Sequence, residues 1–209
     1  MISLKLIDPI SKIEQDINTE LVRQYNVLLA KKSSLIQRQL KSAARNWIGS
    51  QPEISSLKAE SSVGSLNSVF GIRLGTSDSI VNAIIESVVN STEIKLTKLD
   101  KKFRGGLEFN FQPSDFRNLL SLREGHVITQ KNSDLHWLNW LLTEGDAVVV
   151  VGYSYTPSSD GRSGGGTMSF GGSFRVPPSF SGTINNNFIT RAFSNREEEL
   201  TKIISRVLS

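Results

Sequence analysis

Cysteine is absent from the 209 residues. Without a thiol the chain has no disulfide framework and no thiolate metal site. Histidine occurs twice, at His126 and His136, with no H-x-x-x-H pair, so no spacing marks a catalytic zinc. Apolar runs are short. The longest unbroken one, Ala147–Val151, falls far below the ~20 residues of a membrane-spanning helix. The opening MISLKLIDPISKIEQD lacks an apolar stretch long enough for a signal peptide and acquires acids early. No Gly-Lys-Ser/Thr occurs and no G-x-G-x-x-G lies in a strand–helix setting, so a nucleotide cradle is not expected. Neither sign of charge dominates: 24 Lys and Arg against 20 Asp and Glu leave +4. That balance permits contact with nucleic acid without demanding it. With 38% hydrophobic and 21% charged residues, the composition is that of a globular chain able to build one good core.

Several patterns are strong. Asp8-Pro9 suits the start of a helix. Ile10, Ile13, Ile17, Leu21, Leu28, Leu35 and Trp47 follow at helical spacing, with no Gly or Pro from Ile10 to Ile48. One helix of that span would be about 58 Å long. The spacing therefore predicts either a break near Lys31–Ser34 or a helix part of which projects and packs on a neighbouring subunit. Gly49 and Pro52 end it. Short helices are predicted over 53–60 and 65–71, and a stronger one from Ser77 to about Asn90, capped by Ser77 or Asp78, with Ile80, Ile84, Ile85, Val88 and Val89 on its buried face. The period then switches to two: Ile94 and Leu96, the turn DKKFRGG, then Leu107, Phe109 and Phe111 read as a hairpin. SDFRNLLSL reads as a short helical piece. Ser133 is the expected cap of a compact aromatic helix that Gly145 stops. AVVVVGYSYT and TMSFGGSFRV read as a second hairpin, and Ser194 with Glu197 as a capping box for an amphipathic last helix. The fold class expected is α+β: a long N-terminal helix, small helices, an antiparallel sheet with an extended Gly-rich hairpin, and a C-terminal helix. Residues 1–48 would form an assembly arm, and 49–209 an α+β domain with a hairpin loop at 157–166.

The segment Gly161–Gly165, GRSGG, fits the G-x-S-x-G pattern of serine hydrolases. A nucleophile elbow needs a strand before the serine and a helix directly after it. Here Pro157, Ser158, Ser159 and Asp160 precede Ser163, and three glycines with a β-like TMSF follow. A flexible hairpin tip without an apolar anchor is the expectation, and no catalytic residue, cofactor or metal is assigned. Glu197–Glu199 sit at a helix start, where negative charge complements the helix dipole. Lys31, Lys32, Arg38, Lys41 and Arg45 follow one another along the first helix with no acid between them. They read as a solvated face, or as a surface meeting DNA phosphates or an acidic partner. Trp137 and Trp140 lie three apart on one helix face, which suits core packing with part of the helix left for an inter-subunit contact.

WLNWLLTEGDAVVVVGYSY, the tip GRSGGGTM and FRVPPSFSGTINNNFITRAF before an end helix resemble virion proteins of tailed phages. IVNAIIESVVNSTEIKL and DFRNLLSL fit the same group. The resemblance runs over roughly 43–192 and is similar, in broader outline, to tail-completion proteins that form rings at the head–tail junction. It implies a structural, non-enzymatic protein of the neck, in the virion after assembly in the host cytoplasm. Its partners would be copies of itself in a ring, portal or adaptor or tail proteins, and DNA in the channel, with no membrane. A tail or baseplate component is the nearby alternative, and an accessory DNA-binding protein using the basic helix the more distant one. On this reading Trp137, Trp140, Arg162 and Phe188 are the expected interface residues, and the Gly-rich hairpin reaches a neighbouring protein.

Overall fold

The computed structural model describes residues 8–128, 132, 134–161 and 163–209. The chain is α+β, as its patterning predicts. Helix α1 (Ile10–Gly49) is continuous: nothing in it interrupts the hydrogen-bond ladder, and no break occurs at Lys31–Ser34. Its 40 residues correspond to about 60 Å. The strands form three separate two-stranded antiparallel ribbons rather than one sheet. The chain divides into two compact units, and the division does not follow a boundary at residue 48.

The first unit contains the described part of Met1–Leu40, with Glu93–Asn110 and Glu197–Ser209. Val22, Leu29, Ile36 and Leu40 are the buried stripe of α1 here. Strands β1 (Glu93–Thr97) and β2 (Gly106–Asn110) pair with Ile94 opposite Phe109 and Leu96 opposite Leu107, the alternation read from sequence. The side chain of Asn26 holds this ribbon to α1. It donates to the Leu99 carbonyl (3.1 Å) and accepts from the Leu99 N–H (2.8 Å). The Asp100 carboxylate organises the turn by accepting from the N–H groups of Lys102 and Arg104. Those bonds, that to Arg104 foremost, keep its carboxyl below the usual aspartate range. The last helix of the chain (Glu197–Leu208) also lies here; Val207 on it is buried, while Leu200, Ile203, Ile204 and Leu208 are only half-buried.

The second unit, Lys41–Thr92 with Phe111–Arg196, holds the larger core. It contains α2 (Pro52–Lys58), α3 (Leu66–Val69), α4 (Ser77–Ser91), α5 (Arg117–Leu120), a short ribbon of β3 (Val127–Ile128) and β4 (Asp134–Leu135), and α6 (Trp137–Leu142). Strands β5 (Val148–Pro157) and β6 (Gly166–Arg175) follow, then α7 (Phe188–Phe193); the C-terminal helix is α8. Trp137 packs on Phe70 with ring centroids 5.3 Å apart, and Phe111 stacks on Phe193 at 4.6 Å. The predicted buried face of α4 is observed, but its start is capped differently. Thr76 is the N-cap, and the carboxylate of Glu60 accepts from the N–H groups of Gly75 and Ser77. Hydrogen bonds from the Ser77 side chain and these backbone groups lower the Glu60 pKa. A cap supplied from that far back has no local signature.

The C-terminal capping box is also relocated. Ser194 does not cap α8; its hydroxyl donates back to the Thr190 carbonyl and closes α7. The box is Asn187 with Thr190, at the start of α7. Asn187, fully buried, accepts from Ile189 N–H (3.0 Å) and Thr190 N–H (3.1 Å) and donates to the carbonyls of Leu142 (3.0 Å) and Thr183 (2.9 Å). Asn187 thus opens a short helix, α7, and fastens it to the end of α6. Arg191 on it pairs with Glu53 of α2, whose side chain is 1% exposed. Helix α6 begins at Trp137, with His136 as its N-cap; Ser133 lies outside the described residues.

Candidate functional site

The Gly-rich tip is docked, not free, which corrects the expectation of a mobile loop without an anchor. The ribbon β5–β6 closes with Pro157 opposite Gly166, and Ser163, Gly164 and Gly165 lie against the segment 61–68. Ser163 is 1% exposed and its Oγ donates to the Ser68 carbonyl at 3.3 Å. Tyr155 Oη donates to the Gly165 carbonyl (2.7 Å) and accepts from Gly64 N–H (3.1 Å). Gly165 is buried so close to Ser68 that a Cβ there would overlap the serine side chain. The glycines therefore serve close approach. Ser163 sits between two antiparallel strands, with β6 rather than a helix after it, and its hydroxyl is spent on a backbone carbonyl. The arrangement is that of a docked turn.

The residues expected at an interface separate. Trp137 and Phe188 are both 0% exposed; they are core residues of the second unit, Trp137 packing on Phe70. Trp140 is half-buried. Arg162 lies outside the described residues. The ribbon itself supplies the exposed apolar side chains that the sequence reading did not single out. Phe170 is 90% exposed and Val151 81%, and Phe170 packs edge-on against Tyr153 at 5.6 Å. The run Val148–Val151 has no two-residue alternation, so the sequence does not say which of its side chains is covered.

The basic residues are likewise dispersed. Lys31 and Arg38 are exposed on the front of α1, and Lys32 is half-buried. Lys41 is half-buried and Arg45 is paired with Glu86 at 2.6 Å. The two histidines meet: the rings of His126 and His136 stack at 4.0 Å, and His126 Nδ1 lies 2.9 Å from the Asp134 carboxylate. Burial, and then the neighbouring His126, push the His136 pKa down against the opposing pull of Asp134. Among the described residues no group of three or more His, Asp or Glu is placed to hold a metal ion, and no helix is long and apolar enough to cross a membrane.

What the described surface offers is apolar side chains on a rigid ribbon and on a long helix. Comparison with protein families, with characterised proteins and with solved structures returns no match.

Proposed function

We propose that the chain is a structural protein of a tailed-phage virion, part of a head–tail connector or tail-completion ring at the neck, acting by protein–protein assembly. The resemblance of WLNWLLTEGDAVVVVGYSY and FRVPPSFSGTINNNFITRAF to such proteins gives the setting. The observation that carries the assembly reading is the exposed apolar face of the β5–β6 ribbon, where Phe170 and Val151 are 90% and 81% exposed on a ten-residue strand pair. Large exposed apolar patches mark contacts, and Val151, Tyr153 and Phe170 occupy adjacent places in the register, with Tyr153 opposite Phe170 and Val151 opposite Ser173. The tip is not the contact on this reading: it is consumed in holding the ribbon, and the outer face is what neighbouring copies, or portal, adaptor and tail proteins, would cover.

Electron microscopy tests it. The purified chain is expected to form rings, and antibody-labelled particles to carry it at the neck. Phe170→Ser should leave the melting temperature nearly unchanged and impair assembly. Particles without the chain, or full assembly of the Phe170→Ser protein, would defeat the proposal. A second reading, DNA contact, is favoured by one observation: Lys31 and Arg38 are exposed on a helix with no acid from Leu21 to Gly49. DNA binding whose affinity falls steeply with salt and is lost on replacing both would support it.

A further inference from the structure

The front of α1 carries two apolar stripes roughly 100° apart around the helix. One, Val22 to Leu40, is buried within the first unit. The other is uncovered: Ile10 is 69% exposed, Ile17 53% and Leu21 39%, while Ile13, Leu28 and Leu35 are half-buried. With Gln24 and Lys31 these positions succeed one another in steps of three and four, the spacing by which one helix lies along another. Gln24 and Lys31 are the polar positions of this seam, and polar residues in such a seam fix register.

Charge is divided along the same stretch. Asp8, Glu14, Asp16 and Glu20 outweigh Lys5 and Lys12 before Leu21; Arg23, Lys31 and Lys32 follow, with no acid before Leu35. Parallel pairing of two such helices would set acid on acid and base on base. Antiparallel pairing sets each acidic end against a basic one. The basic end also holds a receptor. Leu35, Ile203 and Val207 floor a groove of about 250 Å³ rimmed by Lys32, Gln39 and Arg206. Apolar cavities of about 150 Å³ already admit a benzene ring. A branched aliphatic side chain flanked by carboxylates would fill the groove and face both cations, and the start of α1 is such a segment: Ile10 with Asp8 before it and Glu14 one turn on.

We infer that two copies of this chain pair antiparallel through α1, with Ile10 of each copy seated in the groove over Leu35 of the other. This deepens the assembly reading by naming a second copy as the occupant of this surface. In that register Ile17 meets Leu28 and Leu21 meets Gln24, so each position is matched under a two-fold axis. The overlap from Ile10 to Leu35 is about 39 Å. Glu14 and Lys32 lie on the same flank of the seam, 18 residues or five turns apart. Antiparallel helices bring like flanks together, so Glu14 of each copy faces Lys32 of the other.

Sedimentation of the full chain is expected to show a monomer–dimer equilibrium. Ile17→Glu, at an exposed position, should raise the dissociation constant at least tenfold with an unchanged circular dichroism spectrum. Glu14→Lys should weaken the dimer, and Glu14→Lys combined with Lys32→Glu should restore it. Direction is read from added cysteines, since the chain has none. A mixture of Ile17→Cys and Leu28→Cys chains should give the mixed disulfide, and Ile17→Cys alone no linked dimer. A chain that stays monomeric up to about 0.1 mM, a dimer indifferent to Ile17→Glu, or self-linked Ile17→Cys overturns the pairing. None of these results decides the virion reading, which rests on locating the chain in particles.

Discussion

Replacing Asn187 with alanine is expected to destabilise the protein by about 2 kcal/mol, because one buried side chain serves two ends at once. Its oxygen accepts from Ile189 and Thr190 N–H and caps α7; its amide donates to the carbonyls of Leu142 and Thr183. Loss of the cap costs about 1 kcal/mol. The Leu142 carbonyl, left without its donor in a buried setting, adds about 1 kcal/mol, whereas the Thr183 carbonyl is exposed and keeps its bond from Asn186 N–H. For a chain of this size that corresponds to a fall in Tm of about 4–8 °C. Asn187→Ser keeps a capping oxygen and should lose about 1 kcal/mol. Ser194→Ala removes only an exposed hydroxyl bonded back to Thr190 and should stay within about 0.5 kcal/mol. Thermal and urea unfolding of the three variants, followed by circular dichroism, gives the comparison. A cost below about 1 kcal/mol for Asn187→Ala, or an equal cost for Ser194→Ala, would refute the assignment of the box to Asn187 and Thr190.

Gly165→Ala should cost about 1–3 kcal/mol through overlap with Ser68 and should expose the 158–165 turn to proteolysis; an unchanged cleavage pattern would mean the tip is not held. Arg191→Ala leaves Glu53 buried without its counter-ion and should lose about 3 kcal/mol, partly recovered by adding Glu53→Gln; equal Tm values for the single variant and the wild type would exclude a structural pair. His136 has a folded pKa below its ordinary value of 6.5, so its neutral form favours folding. The stability it contributes is full above that ordinary value and is lost as pH falls through it toward the lowered folded value. Urea midpoints between pH 7.5 and 5 should therefore fall less in His136→Phe than in the wild type, and parallel curves for the two would show that the burial of His136 beside His126 is not responsible.

Local pattern determined much of this protein. The apolar spacing from Ile10 to Trp47, free of Gly and Pro, marks the whole span as helical, because a helix needs only near neighbours along the chain to form its ladder; that it runs on without the break weighed at Lys31–Ser34 is shown by the structure. Two-residue alternation gives the β1–β2 ribbon with its pairing, and the burial of Ile80, Ile84 and Val88 follows from their period. What tertiary structure alone decided are relations between distant residues. Glu60 caps α4 across the turn of 60–77, and Asn26 clasps the backbone of Leu99. Asn187 rather than Ser194 forms the C-terminal box, because its amide also finds carbonyls on the neighbouring element. The Gly-rich tip shows the same limit: its composition promises freedom of the backbone. That freedom is used to bring Gly165 and Ser163 against Ser68, a partner 95 residues away from Ser163. Trp137 and Phe188 read as contact residues by type and are buried by position. Periodicity says which faces are apolar, but what covers each face depends on packing partners that no short window of sequence contains.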